Sequence, residues 1–250
     1  MSEAARRAAG ANPLWYHTIE LAPGVITPGQ VDLRKVAGRI LPADLGGRRA
    51  LDVGTFDGFW AFELERRGAS VVAIDVERLE AAEWPPLSRS MLEAEARANG
   101  VELGRGFELA SEALGSSVER RLLSVYELTP EAIGGPVDFV FSGALLLHLR
   151  DPVLALERIA SVLRPGGELR LLEPFSPRLT ALSPRRPAAS FRAAYEGFNW
   201  WLPNLATIGA WLRAAGFCDE RRIAIARPPA VGGMRMLQVA YGARTPPGGG

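Results

Sequence analysis

A turn that contains two glycines and two acids is the feature of this sequence that most directly suggests chemistry. Residues 51–60 read LDVGTFDGFW, so an apolar strand ends in a turn with Gly54 and Gly58 and a helix follows. Glycine lets the backbone approach a ligand closely, and a helix start presents free N–H groups. Because Asp52 and Asp57 make this turn acidic, it suits a ligand that carries an ammonium group.

The same turn does not match two common phosphate-binding motifs. The dinucleotide pattern G-x-G-x-x-G would need glycine where the sequence has Phe56 and Phe59. A P-loop would need Gly-Lys-Ser/Thr after the turn, and none follows. A pyrophosphate is therefore a poor fit.

A second acid stands at the end of the next predicted strand. Asp75 follows the β-branched run at 70–74 and lies 17 positions after Gly58. An acid at this place commonly accepts hydrogen bonds from two ribose hydroxyls, although it could also cap a helix. The two strand ends together predict a site for a nucleoside-containing ligand.

The chain has two histidines, His17 and His148. With no cluster of cysteines or carboxylates at ligand spacing, we expect no metal site. A neutral imidazole could instead take a proton from a hydroxyl or amine nucleophile, so both are candidate catalytic residues. The alternatives are a helix-start histidine bonded to backbone for His148 and a hinge of an N-terminal arm for His17.

Residues 174–203 form a long arginine-rich stretch between a predicted strand and a predicted helix. Long ordered insertions tend to carry function. We expect its aromatic part to contact substrate or to form a lid, and the candidate substrate residues are Phe175, Asn199, Trp200 and Trp201. Its arginines are either a solvated face or a site for a phosphate or carboxylate, an RNA backbone included. Glu173 is a candidate base or lid anchor.

Strand and helix patterns alternate along most of the chain. This alternation predicts a mostly parallel α/β sheet with helices on both faces. No helix separates the last two strands, so one of them runs antiparallel near one edge. The predicted strands are 50–53, 70–74, 122–125, 137–142, 168–172, 217–225 and 236–241, and the predicted helices are 35–44, 60–67, 106–115, 152–163 and 204–215.

The segments outside this framework receive simpler predictions. Residues 1–13 are predicted to be frayed, and 14–34 to be a structured, extended arm because Pro-Gly turns punctuate it. The charged stretch 77–105 is an insertion, in which Trp84-Pro85-Pro86 argues against a helix.

Composition and charge exclude several classes of protein. The 250 residues are 48% hydrophobic and 23% charged, as in globular proteins, and the net charge of +1 offers no global field for nucleic acid. Cys218 is the only cysteine and permits no internal disulfide, which favours a cytoplasmic location. No apolar run is long enough for a membrane span. The sequence does not distinguish a monomer from an oligomer.

The motifs together resemble class I S-adenosylmethionine (SAM) methyltransferases, over about residues 46–243. The acidic turn and Asp75 resemble motifs I and II, and further similar pieces are LSVYE at 123–127, FVFSG at 139–143 with LHLRDP at 147–152, and LRPGGEL at 163–169. The resemblance implies a Rossmann-like, mostly parallel seven-stranded sheet with one antiparallel strand in an edge region. It implies SAM as cofactor, S-adenosylhomocysteine (SAH) as product, and a SAM site formed by Tyr16, Asp52, Gly54, Thr55, Asp57, Gly58, Phe59, Asp75, Val76, Val125, Tyr126, Ser142 and Gly143.

A narrower resemblance connects the chain to the tRNA wobble-uridine (mo5U34) methyltransferase and carboxymethyltransferase-like branch. WYHTIEL at 15–21 and TPG at 27–29 carry it, together with the pieces at 123–128 and 145–152. The tRNA enzymes use carboxy-SAM and have a Tyr directly before the histidine of the fourth-strand segment, implied to hold the extra carboxylate. This sequence has Leu147 there. The departure favours SAM over carboxy-SAM and a small molecule over tRNA.

These patterns lead to one domain plan and three functional hypotheses. Residues 1–45 are expected to form an N-terminal arm or cap, 46–243 the methyltransferase domain with insertions at about 77–105 and 174–203, and 244–250 a flexible tail. The favoured function is methyl transfer from SAM to an O, N or C of a small molecule, a specialised metabolite included. The alternatives are a tRNA wobble-uridine methyl- or carboxymethyltransferase and a non-catalytic binding module.

Overall fold

A seven-stranded sheet with helices on both faces organises the chain. A computed structural model describes residues 2–193, 197–231 and 237–248. Its helices are α1 (Ser2–Ala11), α2 (Arg34–Ile40), α3 (Phe59–Arg66), α4 (Arg89–Ala98), α5 (Arg105–Leu114), α6 (Pro152–Val162), α7 (Pro177–Leu182) and α8 (Leu205–Ala214). Its strands are β1 (Glu20–Ala22), β2 (Val25–Ile26), β3 (Arg49–Val53), β4 (Ser70–Asp75), β5 (Glu119–Leu122), β6 (Val137–Gly143), β7 (Leu163–Pro174), β8 (Ala189–Phe191), β9 (Trp201–Pro203), β10 (Cys218–Ala226) and β11 (Gln238–Arg244).

The strand order confirms the predicted fold class. The large sheet runs β10-β11-β7-β6-β3-β4-β5. Strand β11 is antiparallel to both of its neighbours, and the pairs from β7 to β5 are parallel. The reversed strand is therefore second from the edge. Since the carboxyl ends of β3, β4 and β6 meet at one edge of the sheet, the side chains that follow them lie close together.

Apolar side chains bury both faces of the sheet. On one face, Phe139 and Phe141 of β6 pack with Trp60 of α3 and with the N-terminal arm. On the other face, Leu51 of β3 and Val140 of β6 pack with α6 and α8. Within the described ranges, no helix is long and apolar enough to cross a membrane.

The N-terminus differs from the prediction of a frayed start. Residues 2–11 form α1, because Ala5 and Ala8 are buried in the core and the Trp15 indole N–H donates to the carbonyl of Ala9. The following segment is extended as predicted, and β1 and β2 form a small antiparallel hairpin. The boundary of the arm at residue 45 remains a prediction.

Two further predictions were wrong in detail. The strand predicted at 122–125 lies earlier, at Glu119–Leu122, and Val125 belongs to a short 3₁₀ turn with a capping box at Ser124. Strand β5 is the edge strand and reads ERRL, so it lacks the apolar pattern on which the prediction relied. The insertion at 77–105 also contains α4, which begins after the two prolines. The predicted strand at 236–241 starts at residue 236, which lies outside the described residues.

Candidate active site

The turn after β3 has the backbone conformation that its glycines predict. Gly54 and Gly58 have φ of +76° and +89°. A Cβ at Gly58 would lie 2.4 Å from the Phe62 ring, so only glycine fits. The turn is tied to β4 because the Asp75 carboxylate accepts hydrogen bonds from Phe56 N (2.7 Å) and Val76 N (2.8 Å). Asp75 is thus fixed at the strand end, and burial raises its pKa.

Several buried polar side chains at this edge have an oxygen without a hydrogen-bond partner. Asp52 of β3 is 1% exposed and its Oδ2 is unpartnered, as is Oγ of the fully buried Ser142 of β6. Burial raises the pKa of Asp52 to about 7. Because native proteins pair nearly all buried polar groups, unpaired ones at a strand edge point to a ligand. Thr55, in the turn after β3, is also fully buried and its Oγ1 is likewise unpartnered.

The second acid of the turn, Asp57, has a different environment. Its Oδ2 accepts hydrogen bonds from Tyr16 N (3.0 Å) and His17 N (2.7 Å), and its Oδ1 pairs with His17 Nδ1. The His17 ring stacks on Phe59 with centroids 5.4 Å apart. Asp57 therefore attaches the N-terminal arm to the turn, and its predicted contact with a cofactor remains a prediction.

Tyr16 lies where the arm meets the turn. Its ring makes edge contacts with His17 at 4.7 Å and with Phe56 at 5.8 Å. Burial, and to a lesser degree the negative charges of Asp57 and Glu173, raises the pKa of its phenol, which stays protonated at neutral pH. The structure therefore brings Tyr16 and His17 to the acidic turn, as their assignment to one site requires.

A buried glutamate holds the loop after β6. Glu173 of β7 is 2% exposed, and its Oε1 accepts hydrogen bonds from Leu145 N (2.9 Å) and Leu146 N (3.0 Å). Burial raises its pKa to about 7. The loop places the Leu145 side chain against Gly54, where an added Cβ would be 3.2 Å from Cδ1. Glu173 thus anchors this loop, and its other predicted role, as a base, stays a prediction.

His148 ends this loop and faces the aromatic insertion. Its Nδ1 lies 2.8 Å from the carbonyl oxygen of Phe198, and burial lowers its pKa. A neutral ring that donates from Nδ1 keeps the Nε2 lone pair free to accept a proton. The preceding residue, Leu147, is 3% exposed, and its carbonyl accepts from Trp200 N at 2.7 Å.

The remaining predicted residues surround these elements. Val125 is buried, and the Tyr126 hydroxyl donates to Glu83 Oε2 at 2.7 Å.

The other predicted residues lie after β6 and β7. Gly143 ends β6, and a Cβ added there would lie 2.9 Å from the Phe141 ring. Phe175 is 6% exposed beyond the end of β7. Asn199, Trp200 and Trp201 lie in a segment that we call the covering segment, residues 197–203.

Two residues of this edge were missed by the sequence prediction. Gln238 begins β11 beside Pro174, is 4% exposed and has an unpartnered Oε1. Glu83 of the insertion bonds to three other segments. No motif marks Gln238, because only the reversed direction of β11 puts its first residue at this edge. Glu83 lies in a stretch already noted as an insertion, but nothing in the sequence distinguished it from its charged neighbours.

Across the described part of the chain, no group of three His, Cys, Asp or Glu side chains is arranged to hold a metal ion.

Comparisons with known proteins agree with this geometry. A family model described as a methyltransferase domain matches residues 30–220. The tRNA U34 carboxymethyltransferase of Azotobacter vinelandii is 33% identical over 193 residues, 75% of this chain and 51% of that protein. Its namesake from Syntrophotalea carbinolica is 34% identical over 187 residues, 73% of this chain and 49% of that protein. The chain spans about half the length of these curated relatives.

Solved structures show the same fold at lower identity. The N-terminal domain of EvdMO1 with SAH bound has a TM-score of 0.63 and 20% identity, covering 98% of this chain and 96% of that chain. The 1,6-didemethyltoxoflavin-N1-methyltransferase of Burkholderia thailandensis has a TM-score of 0.50 and 19% identity, covering 97% of this chain and 78% of that chain.

Proposed function

The chain belongs to the methyltransferase-domain family, and we propose that it transfers a methyl group from SAM to a nucleophilic O, N or C of a small molecule. The observation that carries the proposal is the pair of buried, unpartnered oxygens of Asp52 and Ser142 at the carboxyl ends of β3 and β6. They lie beside the Gly54 turn and Asp75, so polar groups that suit an ammonium and a ribose meet at one edge.

The residues of this edge fit SAM by their chemistry. Asp52 would face the ammonium group, the glycine turn would allow close approach of the backbone, and Asp75 would accept from the ribose hydroxyls. Val125 and Tyr126 would flank the adenine. When bound, the cofactor supplies an electrophilic methyl group on a sulfonium.

The protein's own part in the reaction is positioning, exclusion of water and proton transfer. The N-terminal arm and the covering segment would enclose the acceptor and hold its nucleophilic atom in line. His148 would receive the acceptor's proton at Nε2, since its lowered pKa keeps the ring neutral. His17, held by Asp57, would orient the acceptor from the arm.

Three observations support a small acceptor and SAM itself. Leu147 offers an apolar side chain where the carboxymethyltransferases have the tyrosine implied to hold the extra carboxylate. The covering segment is hydrogen-bonded to the loop after β6, because Trp200 N donates to the carbonyl of Leu147, and from there it would cover a small acceptor. The chain's net charge of +1 gives no broad attraction for a polyanion.

A tRNA wobble uridine is the second candidate acceptor, because the curated relatives at 33–34% identity are named tRNA U34 carboxymethyltransferases. The chain matches only about half of their length. Their substrate therefore enters here as an alternative that the experiment below must separate.

Parallel calorimetric titrations with SAM, SAH and carboxy-SAM test the proposal. We expect SAM and SAH to bind and carboxy-SAM to bind at least tenfold more weakly. A gel shift with bulk tRNA at low and physiological salt, and transfer of labelled methyl from SAM to tRNA, should both be negative. A preference for carboxy-SAM or methylated tRNA would favour the alternative, and binding of none of the three cofactors would contradict both.

A further inference from the structure

One carboxylate in the insertion connects three segments that lie apart in the sequence. Glu83 Oε2 accepts hydrogen bonds from the Tyr126 hydroxyl (2.7 Å) and from Arg150 N (2.6 Å). The backbone carbonyl of Glu83 accepts from the Trp200 indole N–H. Asp151 N donates to the Tyr126 hydroxyl at 3.1 Å, so Tyr126 also contacts the residue that follows Arg150.

The same segments make further contacts around this residue. The Arg150 guanidinium lies 5.0 Å from the centre of the Trp200 ring. The backbone carbonyl of Arg150 accepts a hydrogen bond from the Trp201 indole N–H at 3.1 Å. Ser88 of the insertion donates to the carbonyl of Gly197. The insertion therefore touches the covering segment at two places, and the loop after β6 touches it beside them.

The chemistry of the network favours a persistent connection. Hydrogen bonds to a carboxylate are stronger than neutral ones, and a fixed geometry adds to their effect. Burial and the neighbouring Glu83 raise the pKa of Tyr126, so its phenol stays protonated and remains a donor. Trp200 is 7% exposed, so its indole N–H is shielded by the same contacts.

We propose that Glu83 is a positioning residue that couples the adenosine side of the cofactor site to the covering segment on the acceptor side. The inference rests on the proposed function, in which Tyr126 flanks the adenine. When the cofactor orders Tyr126, the hydrogen bond from Tyr126 would also order the Glu83 carboxylate and, through it, Arg150 N. The backbone carbonyl of Glu83 would then hold the Trp200 indole N–H in place. Cofactor binding would then close the acceptor site before transfer.

Hydrogen exchange of the Trp200 indole N–H tests this coupling. The signal is observed by NMR in the ¹⁵N-labelled chain and assigned with Trp200→Phe. We expect Glu83→Ala to speed this exchange about tenfold in the absence of ligand. The backbone carbonyl that accepts the N–H remains in this variant, but the carboxylate that binds Tyr126 and Arg150 is gone, so the carbonyl is held less firmly. In the wild type, SAH should slow the exchange further, and in Glu83→Ala this effect of SAH should be lost.

Matched variants separate coupling from general damage. Glu83→Gln keeps the shape and an acceptor oxygen and should restore part of the protection. Glu80→Ala removes an exposed acid of the same insertion, 3.8 Å from Arg97, and should leave Trp200 unchanged. Tyr126→Phe removes only the hydroxyl and should act in the same direction as Glu83→Ala, which keeps the test valid if Glu83→Ala fails to fold.

The outcomes distinguish the two proposals. The coupling would be overturned if Trp200 exchange in folded Glu83→Ala stays within twofold of the wild-type rate, or if SAH slows it as much as in the wild type. If Glu83→Ala does not fold, the same two criteria apply to Tyr126→Phe. A wild-type chain that binds no SAH would contradict the proposed function, and the ligand-free exchange rates would still decide whether Glu83 holds the covering segment.

Discussion

Two aspartates of one motif, Asp52 near the end of β3 and Asp57 in the turn that follows, differ in their hydrogen-bond partners. Asp57 is 2% exposed, accepts two backbone N–H bonds and pairs with His17. Asp52 is 1% exposed, keeps an unpartnered oxygen, and has a pKa raised to about 7 by burial. The difference teaches that two acids of one motif can differ in whether the fold itself supplies their hydrogen-bond partners, and that residue type does not distinguish them.

The largest expected effect is on stability, at Asp57. Asp57→Ala leaves the N–H groups of Tyr16 and His17 buried without an acceptor, so we expect the free energy of unfolding to fall by about 3–5 kcal/mol. Urea unfolding followed by circular dichroism measures it. Asp44→Ala, which removes an exposed carboxylate that accepts one backbone N–H, should cost much less. Equal losses would remove the contrast.

The next effect is on ligand affinity, at Asp52. Because burial raises the pKa of Asp52 to about 7, its ionised form is disfavoured in the folded chain. Asp52→Asn should therefore change stability by less than about 1 kcal/mol near pH 4 and should raise it at neutral pH. Affinity for SAH should fall by about 1.5–3 kcal/mol, because a charged hydrogen bond to the ammonium is lost. Calorimetry checks the affinity and urea unfolding the stability. Undiminished SAH binding would mean that Asp52 does not face the ligand.

The pH dependence of stability sharpens the comparison further. Burial raises the pKa of Asp52 from 3.8, and that of Glu173 from 4.5, to about 7. Between these values the folded chain binds more protons than the unfolded chain, so stability contributed by these groups falls as pH rises from about 4 to 7. Asp52→Asn should reduce this slope in urea midpoints measured at several pH values. An unchanged slope would contradict the raised pKa.

The smallest effect is expected at Ser142. Ser142→Ala removes a fully buried hydroxyl with no partner, so the free energy of unfolding should change by no more than about 0.5 kcal/mol. Affinity for SAH should fall a fewfold, as for one neutral hydrogen bond. Thermal unfolding with and without SAH measures both. A loss of stability without ligand would show that the hydroxyl supports the fold instead.

Much of the framework was predictable because strand and helix periodicities are local. The helices at 59–66, 105–114, 152–162 and 205–214 and the strands before Gly54 and at Asp75 lie within a few residues of their predicted positions. The helix α1 was missed because its buried alanines carry a weak hydrophobic signal. Strand β5 was misplaced because an edge strand with a charged sequence gives no alternation.

The sequence by itself determined the glycine turn, the acid after β4 and the class of sheet, because each depends on residue types at short spacing. Only the tertiary structure decided which acid of the turn meets the N-terminal arm, which polar atoms stay without a partner, and that Glu83 joins three segments. Those facts depend on residues 40 or more positions apart in the chain, as with His17 and Asp57. Pairing over such distances is set by packing of the whole domain, which local pattern does not encode.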